Sequence, residues 1–268
     1  MHHKIKYLSS LLIYIFISCN NDDNVSKSTS ETLSQEQQLK NNIARYPDSA
    51  LLTESLVQYY RESGNYPQAL AIINTSIKKE SNNPRLWDIK ATLEIENADT
   101  SASIHSFEKA IEIYPDPQYI ISLGALYAQT KNPNALQMAD ALLIGNKAQA
   151  DKEAYFIKGL YYTYAKNKEK AITFFDKCIS LNYTYMDAYL EKALALYDLN
   201  KFTAALAVLD KALTLQNSFD AGYYYRGKCL EKLNRPQEAA EAYKSALMYD
   251  PEYTDAKNAL ANLQAKKP

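Results

Sequence analysis

The sequence predicts an all-α protein made of stacked helix pairs, and three observations carry this prediction. The chain has 268 residues, of which 47% are hydrophobic, so it can bury a sizeable core. It contains only 6 glycines and 9 prolines, whereas an all-β fold uses more of both in its turns. From residue 50 onward, similar residue types recur every 34 residues. A fixed period of about 20 to 50 residues indicates a repeat architecture.

We expect residues 1–18 to be an export signal. Lys4 and Lys6 supply positive charge, and residues 7–17 form an almost wholly apolar run. The run is too short for a membrane-spanning helix, which needs about 20 residues.

The end of this run resembles a bacterial lipobox. Ser18 precedes Cys19, and the polar residues 20–23 follow; Phe16 stands where that motif usually has leucine. The resemblance implies that Cys19 is acylated and becomes the first residue of a membrane-anchored lipoprotein. The alternative is a plain secretory signal in which Cys19 has no role.

Residues 19–34 are expected to be a flexible tether. After Cys19 they are nearly all polar and cannot bury enough surface to fold. A flexible segment of this length has a root-mean-square reach of roughly 20 Å, which would hold the folded part just off the membrane.

The 34-residue period is visible as columns of related residues. One column is mostly large and aromatic, and another is small after its first member. The first consists of Thr53, Trp87, Ile121, Tyr155, Tyr189 and Tyr223, and the second of Val57, Ala91, Ala125, Gly159, Ala193 and Gly227. Small residues allow two helices to approach closely, and apolar residues recur at three- and four-residue steps within each half. Each period therefore predicts two antiparallel helices.

Together these columns resemble the tetratricopeptide repeat. The resemblance implies a right-handed α-solenoid of helix-turn-helix repeats, six in number, at 50–83, 84–117, 118–151, 152–185, 186–219 and 220–253. Capping helices are expected at 35–49 and 254–268, because an uncapped end repeat would expose its apolar face. The third repeat departs from the pattern. Gln137 occupies an apolar column there, and the apolar face of the second helix fits better if it is shifted by one residue. We expect either a slightly mis-wound helix or an altered turn near residues 132–135.

Few residues in the chain could support catalysis or nucleic-acid binding. Lysine plus arginine (30) nearly balances aspartate plus glutamate (31), whereas nucleic-acid binding needs a clustered basic surplus. His105 is the one histidine after the predicted signal, and neither GxGxxG nor a Walker motif occurs. We expect no enzyme activity, no metal and no small-molecule cofactor.

Two further sets of residues have competing interpretations. Lys90, Lys158, Lys192 and Arg226 form a basic column that is expected to be ordinary surface; the alternative is a ladder for an acidic ligand. Cys178 and Cys229 fall in predicted helices and are expected to be buried small hydrophobes; the alternative is a disulfide.

In the tetratricopeptide family the first helices of successive repeats line a concave wall where ligands usually bind. The corresponding columns here are polar and acidic near the N-terminus, with Glu54, Glu62, Asp88 and Glu96. Some family members clamp carboxylates with basic and asparagine residues in the first-helix columns of their early repeats. Those places here hold Glu54, Gln58, Asp88 and Thr92, which disfavours such a clamp. Further along they become apolar and aromatic, and the predicted partner-binding residues are Phe156, Leu160, Tyr164, Leu190, Leu194, Tyr197 and Tyr224. The alternative is that these residues pack against adjacent repeats.

The combined expectation is a non-catalytic lipoprotein scaffold of the bacterial cell envelope, on the outer membrane, that binds a protein or peptide. The alternative is a surface-exposed accessory for ligand binding or nutrient uptake. Asp22 and Asp23 favour this second possibility, because they resemble the acidic export tags of some surface lipoproteins.

Overall fold

The structure is a computed structural model that describes residues 33–145 and 147–265. The predicted signal peptide, Cys19 and the tether up to residue 32 lie outside the described residues. Within the described residues, no helix is both long and apolar enough to cross a membrane.

The described residues form fourteen α-helices and no strand, as the sequence predicts. The helices are α1 (Gln35–Arg45), α2 (Ala50–Glu62), α3 (Tyr66–Lys79), α4 (Pro84–Glu96), α5 (Thr100–Ile113), α6 (Pro117–Gln129), α7 (Asn134–Gly145), α8 (Lys147–Tyr164), α9 (Lys168–Leu181), α10 (Met186–Asp198), α11 (Phe202–Leu215), α12 (Asp220–Lys232), α13 (Pro236–Tyr249) and α14 (Thr254–Ala265).

The helices stack in chain order, and each packs mainly against its sequence neighbours. Contacts that skip one helix join α6 to α8, α8 to α10 and α10 to α12. These are the first helices of successive pairs, so they form one continuous layer, which we call the inner wall. The second helices, including α9, α11 and α13, lie on the other side. At the ends, α1 packs through Leu39 and Ile43, and α14 packs through Leu260 and Leu263.

The turns inside the helix pairs explain why the period is kept. Gly64, Ala98, Lys166, Asn200 and Asn234 adopt positive φ; successive members are 34 residues apart, except that Ala98 and Lys166 are separated by two periods. A left-handed residue after a helix lets the next backbone N–H groups return to the last carbonyls. After Gly64, for example, the N–H of Asn65 donates to the carbonyl of Tyr60 at 2.8 Å.

The third pair contains the altered turn that the sequence predicts. Its left-handed residue is Lys131, one position earlier than the period requires. The N–H of Ala135 then donates to the carbonyl of Asn132, three residues back. The equivalent Ala69 donates four residues back, to Asn65. The second helix of this pair therefore starts on a tighter turn.

This tighter turn shifts the core face of α7 by two residues, so the predicted shift of one residue was wrong. The buried residues are Ala135, Ala139 and Leu142, instead of positions 137, 141 and 144. Gln137 is exposed as a result. The lost length is recovered in α8, which has 18 residues where α10 and α12 have 13.

Small residues let the two helices of a pair approach closely. A Cβ atom added to Gly159 would lie 2.3 Å from Cε1 of Phe175, and one added to Gly227 would lie 2.5 Å from Cε1 of Tyr243. Both rings are fully buried. Each ring thus occupies the space that the missing side chain leaves.

Cys178 and Cys229 are buried and free, as predicted, and they do not form a disulfide. Burial raises the pKa of each thiol to about 12. Both act as small apolar side chains of the core.

Candidate functional site

The inner wall of α8, α10 and α12 carries all seven predicted partner-binding residues, but three of them belong to the core. Phe156, Leu160 and Tyr224 are only 5%, 1% and 7% exposed. The Phe156 ring packs 5.8 Å from that of Phe175 and 5.1 Å from that of Tyr185. For these three residues the burial favours the alternative interpretation, packing between repeats, because a partner could reach little of their surface.

The other four residues are partly exposed on the inner wall. They are Tyr164 at the end of α8, and Leu190, Leu194 and Tyr197 along α10. Their spacing on α10 places all three on one helix face. The Tyr197 ring meets the edge of Phe202 at 5.1 Å, which fixes its position while part of it stays accessible. Desolvation raises the pKa of both tyrosine phenols, so they remain neutral hydrogen-bonding groups at physiological pH.

In the N-terminal part of the inner wall, carboxylates are bound to arginines. Arg85 donates to Glu54, with an N–O distance of 2.6 Å, and Arg61 binds Glu96 at 2.5 Å. Both pairs join α2 to α4. Two of the four predicted acidic residues, Glu54 and Glu96, are therefore neutralised by contacts between repeats.

The basic column is also engaged in ion pairs and does not form a free ladder for an acidic ligand. Three of its members bind an aspartate on the second helix of the preceding pair. These pairs are Lys158 with Asp140 at 2.6 Å, Lys192 with Asp176 at 2.5 Å, and Arg226 with Asp210 at 2.7 Å. Lys90 lies 3.8 Å from Glu94 on its own helix. The column ties neighbouring repeats together.

A second acidic region lies on the inner wall of the fourth and fifth pairs, and the sequence analysis missed it. Glu153 is on α8, and Asp187 and Glu191 are on α10; we call these three residues the acidic strip. A sequence signal was present, because Glu153 and Asp187 stand 34 residues apart and Asp187 and Glu191 share one helix face.

Glu191 is the most deeply placed member of the strip, with 6% of its surface exposed. Desolvation raises its pKa from 4.5 to about 7, and the nearby charge of Lys168 opposes this increase. Lys168 is itself bound to Asp198 at 2.6 Å. Glu191 therefore has no ion-pair partner of its own among the described residues.

The other two members of the strip are more accessible. Asp187 has an exposed side chain, although the protein around it removes enough water to raise the pKa of its carboxyl. Glu153 lies 3.3 Å from Lys152 through Oε1, while its Oε2 is buried without a hydrogen bond. The strip thus combines an exposed carboxyl group, that of Asp187, with a buried oxygen of Glu153 that makes no hydrogen bond.

His105 is exposed on α5, and its Nδ1 lies 3.9 Å from Glu108. Across residues 33–145 and 147–265, no three histidine, cysteine, aspartate or glutamate residues come close enough to hold a metal ion. The arrangement of the inner wall is suited to recognition by contact and charge.

Comparisons with known proteins agree with this architecture. Family models described as tetratricopeptide repeat match residues 152–185 and 190–256. A tetratricopeptide repeat protein from Parabacteroides merdae superimposes with a TM-score of 0.70 at 21% identity, over 85% of this chain and 91% of that one. PilW, a type IV pilus biogenesis factor, superimposes with a TM-score of 0.63 at 18% identity, over 78% of this chain and 97% of that one.

One curated relative, a DnaJ homolog subfamily C member 7 homolog of Dictyostelium discoideum, is 22% identical over 230 residues. The match covers 84% of this chain but only 39% of the length of that relative. At these identities the similarities show the fold alone. Neither matching family model describes an enzyme. Residues 152–185 and 190–256 are therefore tetratricopeptide repeats, and the described residues as a whole have the fold of a tetratricopeptide-type helical solenoid.

Proposed function

We propose that this protein is a non-catalytic scaffold of the bacterial cell envelope, which binds a protein or peptide partner on its inner wall. The observation that carries the proposal is the set of partly exposed apolar and aromatic residues Tyr164, Leu190, Leu194 and Tyr197. Exposed tyrosine and leucine on one face are typical of interaction surfaces. The tetratricopeptide fold, which is suited to protein–protein interaction, supports the same function.

A pull-down from detergent-solubilised envelopes tests the partner site. The variant Leu194→Ala/Tyr197→Ala removes exposed surface from α10 and leaves the buried Phe156 in place. A matched control, Thr173→Ala/Lys177→Ala, removes exposed side chains from α9 on the other side. We expect the inner-wall variant to recover at least about tenfold less partner, since central interface residues often contribute about 2 kcal/mol each. If the wild type and both variants recover equal amounts of partner, the assignment of the partner site to the inner wall is wrong.

The proposed anchor is a lipid on Cys19. Its support is the sequence alone: the apolar run that ends at Ser18-Cys19 and the polar residues that follow. Two or more acyl chains hold a protein durably to a bilayer, because each buried methylene contributes about 0.8 kcal/mol. Cells grown with labelled palmitate should label the wild-type protein but not Cys19→Ser. Labelling of both proteins, or of neither, would contradict the anchor.

A second candidate is a surface-exposed accessory for ligand binding or nutrient uptake, favoured by Asp22 and Asp23 after Cys19. Protease treatment of intact cells separates the two positions in the envelope. Digestion of the repeats in intact cells would support exposure at the cell surface. Protection that is lost when the outer membrane is permeabilised would support a position facing the periplasm.

A further inference from the structure

The acidic strip has fewer basic side chains around it than the carboxylates in the N-terminal part of the inner wall. In the N-terminal part, Glu54 and Glu96 are each bound by an arginine. In the strip and beside it, four carboxylates (Glu153, Asp187, Glu191 and Asp198) face only Lys152 and Lys168 among the described residues. Two acidic groups are therefore left without a counterion.

Glu191 is the clearest case. Its side chain is more than nine-tenths buried, yet it makes no hydrogen bond and no ion pair with another described residue. A carboxylate in such a position is costly unless a partner satisfies it. A carboxyl group in this position can be satisfied only from outside the chain, by water or by a donor group of a bound partner.

The groups that face Glu191 come from each helix packed around it. Desolvation is the main cause of the raised pKa of the Tyr164 phenol on α8 and the Tyr225 phenol on α12, and the charge of the nearby Glu191 raises both further. Lys168 faces it from α9, and Asp187 and Asp198 share α10 with it. Apart from Lys168, which is already paired, the titratable groups that interact with Glu191 are tyrosine phenols and further carboxylates.

We infer that the acidic strip binds a lysine or arginine side chain of a basic, extended peptide segment in the partner. This inference rests on the proposed function and names the chemistry of its partner. A long cationic side chain matches the site, because its apolar stem can pack beside Tyr164 and Tyr225 while its charged end reaches Glu191. The strip's carboxylates do not converge on one point as metal ligands do, so the cation they suit is an extended organic one.

Binding of this kind depends on pH in a defined direction. A cation favours the ionised form of Glu191, whose pKa in the free protein is about 7. The ionised fraction rises about tenfold between pH 6 and pH 8, and affinity rises with it. Desolvation also raises the pKa of the Asp187 carboxyl above its ordinary value.

Fluorescence anisotropy of the full chain with two labelled probes tests the inference. One probe is a nonapeptide of glycine and serine with three arginines, and the other has citrulline, which is neutral and similar in shape, in place of arginine. We expect the arginine probe to bind at least about tenfold more tightly at pH 8. Glu191→Gln/Asp187→Asn should abolish that preference.

The matched control is Glu54→Gln, which removes the same charge from the same wall where the carboxylate is already bound by Arg85. This variant should keep the preference for the arginine probe within about twofold of the wild type. If it loses as much preference as Glu191→Gln/Asp187→Asn, binding depends only on the net charge of the protein, and the inference is overturned. Equal binding of both probes to the wild type would overturn it as well. The affinity of the wild type for the arginine probe can also be measured against pH without any variant. An affinity that stays constant from pH 6 to pH 8 would likewise overturn the inference.

The same variants in the envelope pull-down separate this inference from the proposed function. If Leu194→Ala/Tyr197→Ala loses the partner and Glu191→Gln/Asp187→Asn keeps it, the scaffold function stands and the inference fails. If neither variant loses the partner, the proposed function fails. Loss in both variants supports both.

Discussion

Replacing Glu191 with glutamine should remove a pH-dependent loss of stability from the folded protein. The residue is 6% exposed on the inner wall, and burial raises its pKa from 4.5 to about 7. A carboxyl group whose pKa is higher in the folded than in the unfolded state contributes to stability. This contribution is complete at pH values below the pKa of the unfolded state. That contribution is lost as the pH rises through the folded pKa. Glutamine keeps the shape of the protonated acid and does not titrate.

The size of the effect follows from the two pKa values. A difference between 4.5 and about 7 corresponds to about 3 kcal/mol of stability lost by the wild type between pH 4 and pH 8. At pH 4, Glu191→Gln and the wild type should therefore have similar free energies of unfolding. At pH 8 the variant should be more stable by about 3 kcal/mol.

Urea denaturation followed by circular dichroism at pH 4, 6 and 8 measures this difference. The other carboxyl groups titrate in both proteins, so the difference between the two curves isolates residue 191. Glu54→Gln serves as a comparison, because it removes a carboxylate that is bound to Arg85. A difference between Glu191→Gln and the wild type that stays constant from pH 4 to pH 8 would refute the reasoning.

Three further predictions concern the core and the repeat contacts. Gly227→Ala should lower the free energy of unfolding by about 1 to 3 kcal/mol, because the new Cβ meets the buried Tyr243 ring 2.5 Å away; an unchanged urea midpoint would contradict this. Cys178 and Cys229 should not react with a thiol reagent until the chain unfolds, because both are buried with pKa values near 12; rapid labelling in native buffer would show that the core opens. Asp210→Asn should cost less than about 1 kcal/mol, because its ion pair with Arg226 is partly exposed; a larger loss of stability would mean that the pair is essential to the packing between repeats.

The repeat architecture could be predicted from the sequence because its cause is local and periodic. The left-handed turn residues from Gly64 to Asn234 and the Gly159 and Gly227 positions recur at fixed spacing. Each periodic position has the same physical role in every pair. Helical pairs that pack on their neighbours leave few other arrangements for such a pattern.

The third repeat shows where periodicity is insufficient. In this repeat the left-handed residue, Lys131, comes one position early, and the N–H of Ala135 bonds three residues back where the other repeats bond four residues back. A shift of one residue would place Leu136, Asp140 and Leu143 inward, whereas the shift of two places Ala135, Ala139 and Leu142 there and leaves Asp140 outside the core. Packing against α6 and α8 selects the second.

The candidate site could be predicted only in part, because a column cannot distinguish the inner wall from the core beneath it. Phe156 and Leu190 occupy the same column, yet Phe156 is buried and Leu190 is partly exposed. The difference depends on neighbouring side chains such as Tyr185 and Phe175, which approach only in three dimensions. The isolation of Glu191 similarly depends on Lys168 being bound to Asp198.

Site-specific photocrosslinking tests the central claim, that the partner lies on the inner wall, most directly. A benzophenone amino acid would be introduced in separate variants at Leu194 and Tyr197 on α10 and at Thr173 on the exposed side of α9. On irradiation of intact envelopes, we predict that positions 194 and 197 form a covalent adduct with the same protein and that position 173 does not. Adducts from position 173 with none from 194 or 197 would contradict the account.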